Sequence, residues 1–393
     1  MISKNLSRKK KLVFYLVVFL IPVITISTFY IGYSAYRTAP IYRHVKLNQR
    51  GWKGKTVRAD TELGFVPIPD SQGAEVFPIG NDIPARYDKD GFRVPLEDGR
   101  STSPNRHPIV LALGCSFTYG AATPAENTYP YLVGQNLGGT TRNAGVSGYG
   151  LSQMLVLAKR LVPTNKPDYL LVQYSPWLVT RAQSPFAPTN FGAAPTPYFF
   201  LRHNELVLHP PVFMTEVLDL PFDRYRNTEA SLGDKVSFVW HVGMPLYVHD
   251  DFKMALYKIE SVFGSLPERA PNPEQITKYV YEEMAKVARE NGARLVIVVL
   301  GSDYRPLQIP EGSFPPDAVI VNAHDALLRH LPVANQETYE QSYAHWRGSP
   351  LRIVDYHPNE NAHRIIAEAI IQKVQDATDK QTDNRRQRIS VVR

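Results

Sequence analysis

Cysteine is almost absent from this chain, which has Cys115 alone among 393 residues. A single cysteine cannot form an internal disulfide, so a domain exported from the cytoplasm would have to be held together by its core. A general excess of basic charge is absent as well. Of the net charge of +7, residues 1–11 carry +5 and residues 380–393 carry +4, which leaves −2 for the rest of the chain. Because the basic residues are confined to two tails, the sequence argues against a nucleic-acid-binding fold, and we expect no nucleic-acid partner.

Charge of either sign is missing from Leu12 to Tyr36, a run of 25 residues. At 1.5 Å rise per residue this run exceeds the ~30 Å hydrocarbon core of a bilayer. A cleaved signal peptide has a shorter apolar region and a small-residue cleavage site, which Ser34-Ala35-Tyr36 does not supply. We therefore predict a transmembrane signal anchor at residues 12–36. The basic tail of residues 1–11 places the amino terminus in the cytoplasm. The rest of the chain would then be periplasmic, as in a single-pass protein of the bacterial inner (plasma) membrane.

The remainder of the chain divides by composition. Residues 37–105 are rich in Pro, Gly, Asp and Arg and predict a small β-rich lead-in segment without chemistry of its own. Within it, Asp90-Gly91 between Tyr87 and Phe92 indicates a hairpin turn. Residues 106–376 predict an α/β domain. Residues 181–270, with many Pro and aromatic residues, predict an insertion that covers the active edge of the sheet, and residues 377–393 predict a disordered basic tail.

Buried strands and amphipathic helices alternate through the α/β domain. The predicted elements are a strand at 109–113, helices at 129–137 and 151–161, a strand at 169–174, a hairpin at 197–209, a helix at 273–291, a strand at 294–300, a short strand and helix within 319–331, and a last helix at 361–375. Strand–helix–strand units of about 30 residues imply right-handed crossovers and a parallel sheet.

A serine follows the first of these strands, in a turn that lies between Gly114 and Gly120. Both glycines are expected to permit backbone conformations that side chains would forbid. Open α/β sheets bind their ligands at the carboxyl ends of their strands, which is where Ser116 would lie. A serine hydroxyl becomes a good nucleophile only with a histidine to take its proton, a carboxylate to orient that histidine, and donors for the oxyanion.

Each of these parts occurs at a predicted strand end. Asp355 and His357 precede the last helix, and because residues two apart in an extended turn point the same way, the carboxylate can reach the imidazole. Gly148 follows the second strand and has no side chain to cover its N–H.

Three blocks of the sequence resemble those of the SGNH, or GDSL-type, hydrolases. Gly114–Gly120 resembles the first block, Asn143–Gly148 the second, and Asp355–Asn359 the last. The resemblance covers about residues 106–376, in the family's order.

This resemblance implies a flavodoxin-like three-layer α/β/α sandwich with a parallel sheet. It also implies a nucleophile at Ser116, a base at His357 oriented by Asp355, and oxyanion donors from the backbone of Ser116 and Gly148.

The chain departs from the family's pattern at three places. Cys115 replaces the usual Asp of the first block. Asp355 stands two residues before His357 where many members have three, a spacing that resembles the alginate O-acetylation branch. In the third block Trp177 occupies the position of the oxyanion asparagine. Loss of one such donor costs about 10²–10³ in rate, and Ser175 and the indole N–H of Trp177 are the local candidates to replace it.

Other interpretations of the same residues stay open. A serine between glycines after a strand also suits a phosphate or flavin site, although such a site needs no histidine beside a carboxylate. His357 could be structural. Asn143 is expected to satisfy strand-end backbone, and Cys115 to be a packed core thiol. Aromatic residues of the insertion could pack on the core or line a sugar-binding groove.

We expect no metal and no cofactor. The histidines that remain outside the motifs show no ligand spacing; these are His324, His330, His345 and His363.

These observations predict a membrane-anchored serine esterase or O-acyltransferase that acts on acyl esters of an extracytoplasmic carbohydrate or glycolipid, with envelope polysaccharide-assembly proteins as possible partners. The alternative is a catalytically degenerate relative that binds glycan without turnover. The missing asparagine favours this alternative, and the Ser, His and Asp residues oppose it.

Overall fold

The computed structural model describes residues 8–46, 51–77, 79–96, 106–189, 192–202, 204–211, 231–244, 251–252 and 271–391, together with residues 255, 259 and 262. The chain forms two compact units. The smaller unit comprises Met1–Gln49 and Leu220–Phe252, and the larger unit comprises Arg50–Asp219 and Lys253–Arg393.

The strands of the larger unit follow one another along the chain from Gly51 to Asp355. They are β1 Gly51–Lys53, β2 Val57–Asp60, β3 Gly64–Pro67, β4 Gln72–Val76, β5 Ile83–Tyr87, β6 Arg93–Val94, β7 Ile109–Leu113, β8 Thr140–Asn143, β9 Tyr169–Tyr174, β10 Phe186–Thr189, β11 Gly192–Pro195, β12 Tyr198–Arg202, β13 Glu205–His209, β14 Arg294–Val299, β15 Val319–Asn322, β16 His345–Arg347 and β17 Arg352–Asp355.

The helices are numbered across both units. They are α1 Arg8–Lys46, α2 Ser116–Tyr119, α3 Tyr129–Asn136, α4 Leu151–Asn165, α5 Pro176–Ala182, α6 Leu232–Phe238, α7 Pro273–Glu290, α8 Ala323–Arg329, α9 Gln336–Tyr343 and α10 Glu360–Val391, with a 3₁₀ turn at Ala125–Asn127 and a π-helical turn at Val239–Gly243.

Five parallel strands form the centre of the larger unit, in the spatial order β8-β7-β9-β14-β15. Numbered along the chain, this is the order 2-1-3-4-5 of flavodoxin-like folds. Parallel strands need cover on both faces, and the helices form two groups: α4 packs with α5 and α7, whereas α10 packs with α3, α8 and α9. The predicted three-layer α/β/α sandwich is therefore confirmed. Every residue of β7 is buried, as its unbroken apolar run predicts.

The lead-in segment extends this sheet. Strands β1, β4, β5 and β6 continue it beyond β8 in antiparallel pairs, so the whole sheet has nine strands and is mixed, where the sequence predicted a parallel sheet. The junction is the pair Arg93↔Asn143. The predicted hairpin turn is present between β5 and β6, with Gly91 at φ +82.

The segment 181–270 does not behave as one insertion. Its hairpin β12–β13 belongs to the larger unit, whereas Leu220–Phe252 belongs to the smaller unit with α1. The sequence missed this division because both parts share the same composition. Tyr198, Phe199 and Phe200 of β12 are buried, so these aromatic residues pack in the interior.

Helix α1 is longer than the predicted anchor. Residues Arg8–Ala39 form a helix long and apolar enough to cross a membrane by length and composition. Residues 1–7 of the predicted basic tail lie outside the described residues.

The last helix also exceeds its prediction, which ended it at residue 375 and made residues 377–393 disordered. Helix α10 continues to Val391. The prediction was wrong because polarity alone does not stop a helix: no Pro or Gly follows Pro358, and Gln, Lys, Arg and Ala are good helix formers.

Candidate active site

Ser116 lies where the fold predicts it, at the carboxyl end of β7. Gly114 and Cys115 follow the strand, and Ser116 is the first residue of the single turn α2, which ends at Gly120 with φ +81. A left-handed backbone at this position favours glycine, as the sequence predicted for Gly120.

Gly114 is required for a different reason from the predicted one. It is not among the glycines with positive φ. A Cβ at this position would lie 1.9 Å from Thr118 Oγ1 and 2.7 Å from Gln173 Oε1. Gly114 therefore serves close packing of the turn against its neighbours, not an unusual backbone conformation.

The structure brings the three predicted triad residues together. His357 Nε2 lies 2.8 Å from Ser116 Oγ, and His357 Nδ1 lies 2.7 Å from Asp355 Oδ1. The same Asp355 oxygen accepts the backbone N–H of His357 at 2.8 Å. The Asp355 side chain is buried and that of His357 is 26% exposed.

This geometry fixes the tautomer of the neutral imidazole. A carboxylate can only accept, so Nδ1 carries the proton and donates it to Asp355. Nε2 is then an acceptor facing the Ser116 hydroxyl. The arrangement suits removal of the serine proton during attack and its return to a leaving group, which is the chemistry of general base and acid catalysis.

The backbone N–H groups of Ser116 and Gly148 are among those at this edge that have no acceptor in the part of the chain that the structure describes. Gly148 has φ +90, a conformation that favours glycine. Both N–H groups thus stay candidates for the oxyanion donors that the resemblance implies.

Ser175 is not available as the third donor. Its side chain is fully buried, and its hydroxyl donates to the Leu300 carbonyl at 2.7 Å while accepting from Gln173 Nε2 at 2.9 Å. A hydroxyl has one proton, so this serine cannot also stabilise an oxyanion. The acceptor of the Ser175 hydroxyl, Leu300, lies at the end of the neighbouring strand β14. The sequence does not reveal that these two strand ends are adjacent.

Trp177 lies beside the triad. Its ring meets Phe117 edge-on with centroids 5.1 Å apart, and the Phe117 ring in turn meets His357 at 5.5 Å. The indole is half-buried, and its N–H has no acceptor among the described residues. Trp177 thus stays the candidate for the third donor.

Gln173 was missed by the sequence reasoning. It is fully buried on β9, and its Oε1 accepts from the Cys115 N–H at 3.1 Å and from the Thr118 hydroxyl at 2.9 Å. Its Nε2 donates to Ser175. One amide therefore holds the residues on both sides of Ser116. The sequence did contain a signal for this residue, because Gln173 is a polar residue inside an otherwise apolar strand. A buried polar group requires a hydrogen-bond partner, so its presence there indicates a structural role.

The lead-in segment also contributes to the site, although the sequence assigned it no chemistry. The fully buried Arg93 donates to the carbonyls of Tyr119, Gly120 and Thr123, at 2.8 Å for Gly120 and 2.7 Å for Thr123. Buried Glu75 accepts the Ala122 N–H at 3.1 Å. Two charged side chains of the lead-in segment thus hold the loop that follows the nucleophile.

The turn that carries His357 is fixed to that same loop. The Pro358 carbonyl accepts from the Thr123 hydroxyl at 3.3 Å and lies 3.2 Å from His345 Nε2. His345 pairs with Asp355 across β16 and β17. Burial lowers the pKa of His345, so the ring is neutral near pH 7 and can donate one N–H to Pro358.

The remaining predictions concern structural residues. Asn143 donates to the Thr118 carbonyl at 3.0 Å and accepts from the Gly145 N–H, and Cys115 is a fully buried thiol, so both structural interpretations are confirmed. Among the described residues, no group of three or more His, Cys, Asp or Glu side chains is placed to hold a metal ion.

Comparison with known proteins gives distant likenesses only. No family model and no curated protein match the chain. Solved structures that resemble it include an α/β hydrolase from the metagenome of Lake Arreo, Spain (11% identity, TM-score 0.33, covering 68% of this chain and 95% of that one). A protein assigned to the G-D-S-L lipolytic family from Desulfitobacterium hafniense is similar at 11% identity with a TM-score of 0.34. The likeness covers 68% of this chain and 99% of that one. An acetylxylan esterase from Geobacillus stearothermophilus is similar at 14% identity with a TM-score of 0.27. The likeness covers 69% of this chain and 95% of that one.

Likenesses this distant assign no activity to the chain. In its motif order, its strand order and the arrangement of Ser116, His357 and Asp355, the chain is similar to the SGNH hydrolases.

Proposed function

We propose that the protein is an SGNH-type serine esterase or O-acyltransferase. The observation that carries the proposal is the continuous contact from Asp355 through His357 to Ser116, with heavy-atom distances of 2.7 and 2.8 Å. A binding site for phosphate or flavin has no use for this arrangement, because neither ligand needs an activated hydroxyl.

In the proposed reaction Ser116 Oγ attacks an ester carbonyl while His357 takes its proton. The carbonyl oxygen becomes an oxyanion, which the amides of Ser116 and Gly148 stabilise, with the indole N–H of Trp177 as a third donor. His357 then protonates the leaving alcohol, and the acyl group stays on Ser116. Water or a sugar hydroxyl, deprotonated by the same imidazole, releases it. The identity of this acceptor decides between hydrolase and acyltransferase.

The proposed substrate is an acyl ester of an extracytoplasmic carbohydrate or glycolipid. The apolar helix Arg8–Ala39 supports a location at the cell envelope. The cations that precede Leu12 favour a cytoplasmic amino terminus, and hence a periplasmic larger unit. Two aromatic side chains near the triad support a sugar ligand: Trp177 is half-buried, and Tyr356, which lies between Asp355 and His357, is 68% exposed. Aromatic faces suit the apolar faces of sugar rings. Envelope polysaccharide-assembly proteins are the proposed partners.

The test is covalent labelling of the full chain with a fluorophosphonate probe. Wild type should be labelled and S116A should not, because the probe reacts only with an activated serine. The matched control is S302A, since Ser302 is exposed and lies outside the triad. Equal labelling of wild type and S116A would refute the proposed chemistry.

The substrate class has a separate test. We expect Y356A to raise KM for an acetylated oligosaccharide while leaving turnover of p-nitrophenyl acetate near wild type, because only the larger substrate can reach this ring. Equal kinetics of Y356A and wild type on the oligosaccharide would contradict the carbohydrate assignment without affecting the esterase proposal.

A glycan-binding protein without turnover is the second candidate. It is favoured by the engagement of Ser175, which leaves the third oxyanion donor to Trp177, at the position where the family has an asparagine. Binding of the oligosaccharide by S116A with wild-type affinity, together with no fluorophosphonate labelling of wild type, would support it.

A further inference from the structure

The Gly148 N–H belongs to a tight turn formed by residues 146–149. The Tyr149 N–H donates to the Val146 carbonyl at 3.2 Å and closes the turn. Gly148 has φ +90, whereas the φ of Ser147 is not positive. A positive φ at the third residue alone is typical of a type II turn. In a type I turn, which suits most other residues, the peptide between the two central residues points the opposite way. The direction of this peptide therefore decides whether the turn presents the Gly148 N–H or the Ser147 carbonyl.

The start of this turn is joined to the nucleophile turn. The Val146 N–H donates to the Gly114 carbonyl at 3.1 Å. The two backbones also approach closely at Gly145, where a Cβ would lie 2.5 Å from the Tyr119 nitrogen. These contacts fix where the turn begins relative to Ser116. The far end of the turn is held by other elements.

Tyr149 ends the turn and anchors it to the hairpin β2–β3 of the lead-in segment. Its side chain is fully buried. Its hydroxyl donates to the Phe65 carbonyl, and its ring meets the Phe65 ring edge-on with centroids 5.2 Å apart. The Tyr149 carbonyl accepts from Arg181 Nη1 of α5 at 3.0 Å. The residue that follows Gly148 is thus held through both its side chain and its backbone.

Gln153 ties the next residue to the same hairpin. This buried side chain lies in the first turn of α4, where its Oε1 accepts the Gly150 N–H at 3.0 Å. Its Nε2 donates to the Leu63 carbonyl at 2.9 Å. At the surface, Arg160 of α4 pairs with Asp60 of the hairpin at 3.1 Å. Two buried hydrogen bonds therefore connect the hairpin to the chain just after Gly148, through Tyr149 and through Gln153.

We propose that the hairpin β2–β3, acting through Tyr149 and Gln153, positions the Gly148 N–H to donate to the oxyanion. Both are positioning residues, since each acts through the backbone of the turn. The inference rests on the proposed function and deepens it. The lead-in segment then holds two turns of the site, because Arg93 and Glu75 hold the loop after the nucleophile.

The expected signature is a loss in kcat without a change in KM. A donor that already points at the oxyanion needs no reorganisation during the reaction. A donor that can rotate away stabilises the transition state less, and its loosening costs no ground-state binding. A residue that served the fold alone would lower Tm without this kinetic effect.

The first variant is Y149F, which removes the hydroxyl and keeps the buried ring. Y343F is the matched control, because the Tyr343 side chain is also buried and its hydroxyl donates to the Leu327 carbonyl at 2.7 Å, between α9 and α8. The detergent-solubilised full chain is assayed with p-nitrophenyl acetate. Both variants should lose a similar few °C in Tm. Only Y149F should lose roughly 10-fold in kcat, which is less than the 10²–10³-fold cost of removing an oxyanion donor outright.

An alkyl trifluoromethyl ketone reports on the oxyanion itself. Ser116 Oγ adds to its carbonyl carbon, His357 takes the serine proton, and the carbonyl oxygen becomes negative, as in the proposed transition state. The Ki of Y149F for this ketone should rise by about the factor by which kcat/KM falls, because the analogue loses the same stabilisation. A fall in kcat with an unchanged Ki would place the effect outside the oxyanion site and refute the inference.

Q153E provides a second variant that does not depend on Y149F. When protonated, its carboxyl can accept from Gly150 and donate to Leu63, as the amide does. Burial raises the pKa of this carboxyl, and the ionised form cannot donate. The ratio of its kcat to that of wild type should therefore fall as pH rises, with active enzyme counted by fluorophosphonate labelling. The wild-type reference removes the titration of His357 from this ratio. A ratio independent of pH would refute the role of Gln153.

G148A tests the donor to which both residues lead. An alanine disfavours φ +90, so the peptide should turn away and kcat should fall about 10²–10³-fold. Wild-type kcat in G148A would overturn the inference, as would equal kcat of Y149F and Y343F in an otherwise active enzyme. Absence of turnover and of fluorophosphonate labelling in wild type would instead refute the proposed function and this inference together.

Discussion

The buried amide of Gln173 gives the most direct test of how the nucleophile turn is held. Replacing it with leucine keeps the side chain's approximate size and removes both its acceptor and its donor. The Cys115 N–H then has no acceptor in a fully buried position, whereas the Thr118 hydroxyl keeps Tyr129 Oη at 2.7 Å and Ser175 keeps its bond to Leu300.

The magnitude follows from these contacts. An orphaned buried donor costs about 1–3 kcal/mol, and each lost neutral hydrogen bond about 0.5–1.5 kcal/mol. We therefore expect Q173L to lower the free energy of unfolding by roughly 2–4 kcal/mol, which corresponds to a fall of about 5–15 °C in Tm. Because Cys115 precedes Ser116, the nucleophile also shifts. Misplacement by about 1 Å costs up to about 10²-fold in rate, so we expect a roughly 10–100-fold loss in kcat with little change in KM.

The assays are thermal unfolding of the detergent-solubilised full chain and hydrolysis of p-nitrophenyl acetate. Q135L is the matched control, because Gln135 is exposed on α3 and its replacement should change stability by less than about 0.5 kcal/mol. Q173E should be more stable at low pH. The protonated carboxyl introduced by Q173E can accept from Cys115 and Thr118 and donate to Ser175, as the amide does. Burial raises the pKa of this carboxyl in the folded state. The stability of the variant therefore falls as pH rises through that pKa. A Q173L protein with wild-type Tm and wild-type kcat would show that this amide does not position the turn.

Three further predictions concern residues that support the site. R93M should lower both Tm and kcat, because three loop carbonyls lose a charged donor worth about 1.5–3 kcal/mol per bond. The control R58M, on the exposed face of β2, should lower neither. Equal effects of the two substitutions would contradict the role of Arg93. G114A should fail to fold or lose several-fold in activity because its Cβ would overlap Thr118, while G233A, with 3.8 Å to its nearest neighbour, should be neutral. Complete burial lowers the pKa of His363 to about 3. The unfolded chain then binds a proton below pH ~6.5 that the folded chain does not, and stability should fall by roughly 2 kcal/mol from pH 6.5 to pH 5. H363Q should reduce this slope in thermal unfolding, and an unchanged slope would exclude His363 as its cause.

The central strands and the triad could be predicted from the sequence because their signals are local. The apolar run of β7 spans consecutive residues, and Asp355 stands two residues from His357. Parallel strands place their carboxyl ends at one edge of the sheet, so residues far apart along the chain meet there. This rule located Ser116. His357 follows β17, which pairs with β16 in a separate two-stranded sheet, so its contact with Ser116 was implied by the family resemblance and not by the order of the parallel strands.

The supporting contacts could not be predicted because their partners are distant backbone groups. Arg93 stands in the lead-in segment but binds carbonyls 26 to 30 residues further along the chain. Ser175 meets the Leu300 carbonyl only because β9 and β14 are neighbours. A polar residue in an apolar run shows that a partner exists, but the sequence does not show which one.

The distance along the chain between nucleophile and base has a consequence for biogenesis. Ser116 and His357 are 241 residues apart, and synthesis adds about 5–20 residues per second. The serine therefore leaves the ribosome tens of seconds before the imidazole that activates it. In the chemistry proposed above, the nascent chain would during that interval carry the turn with the nucleophile but not the base. Competence for ester chemistry would arrive only with the segment that bears Asp355 and His357, which builds a delay into maturation.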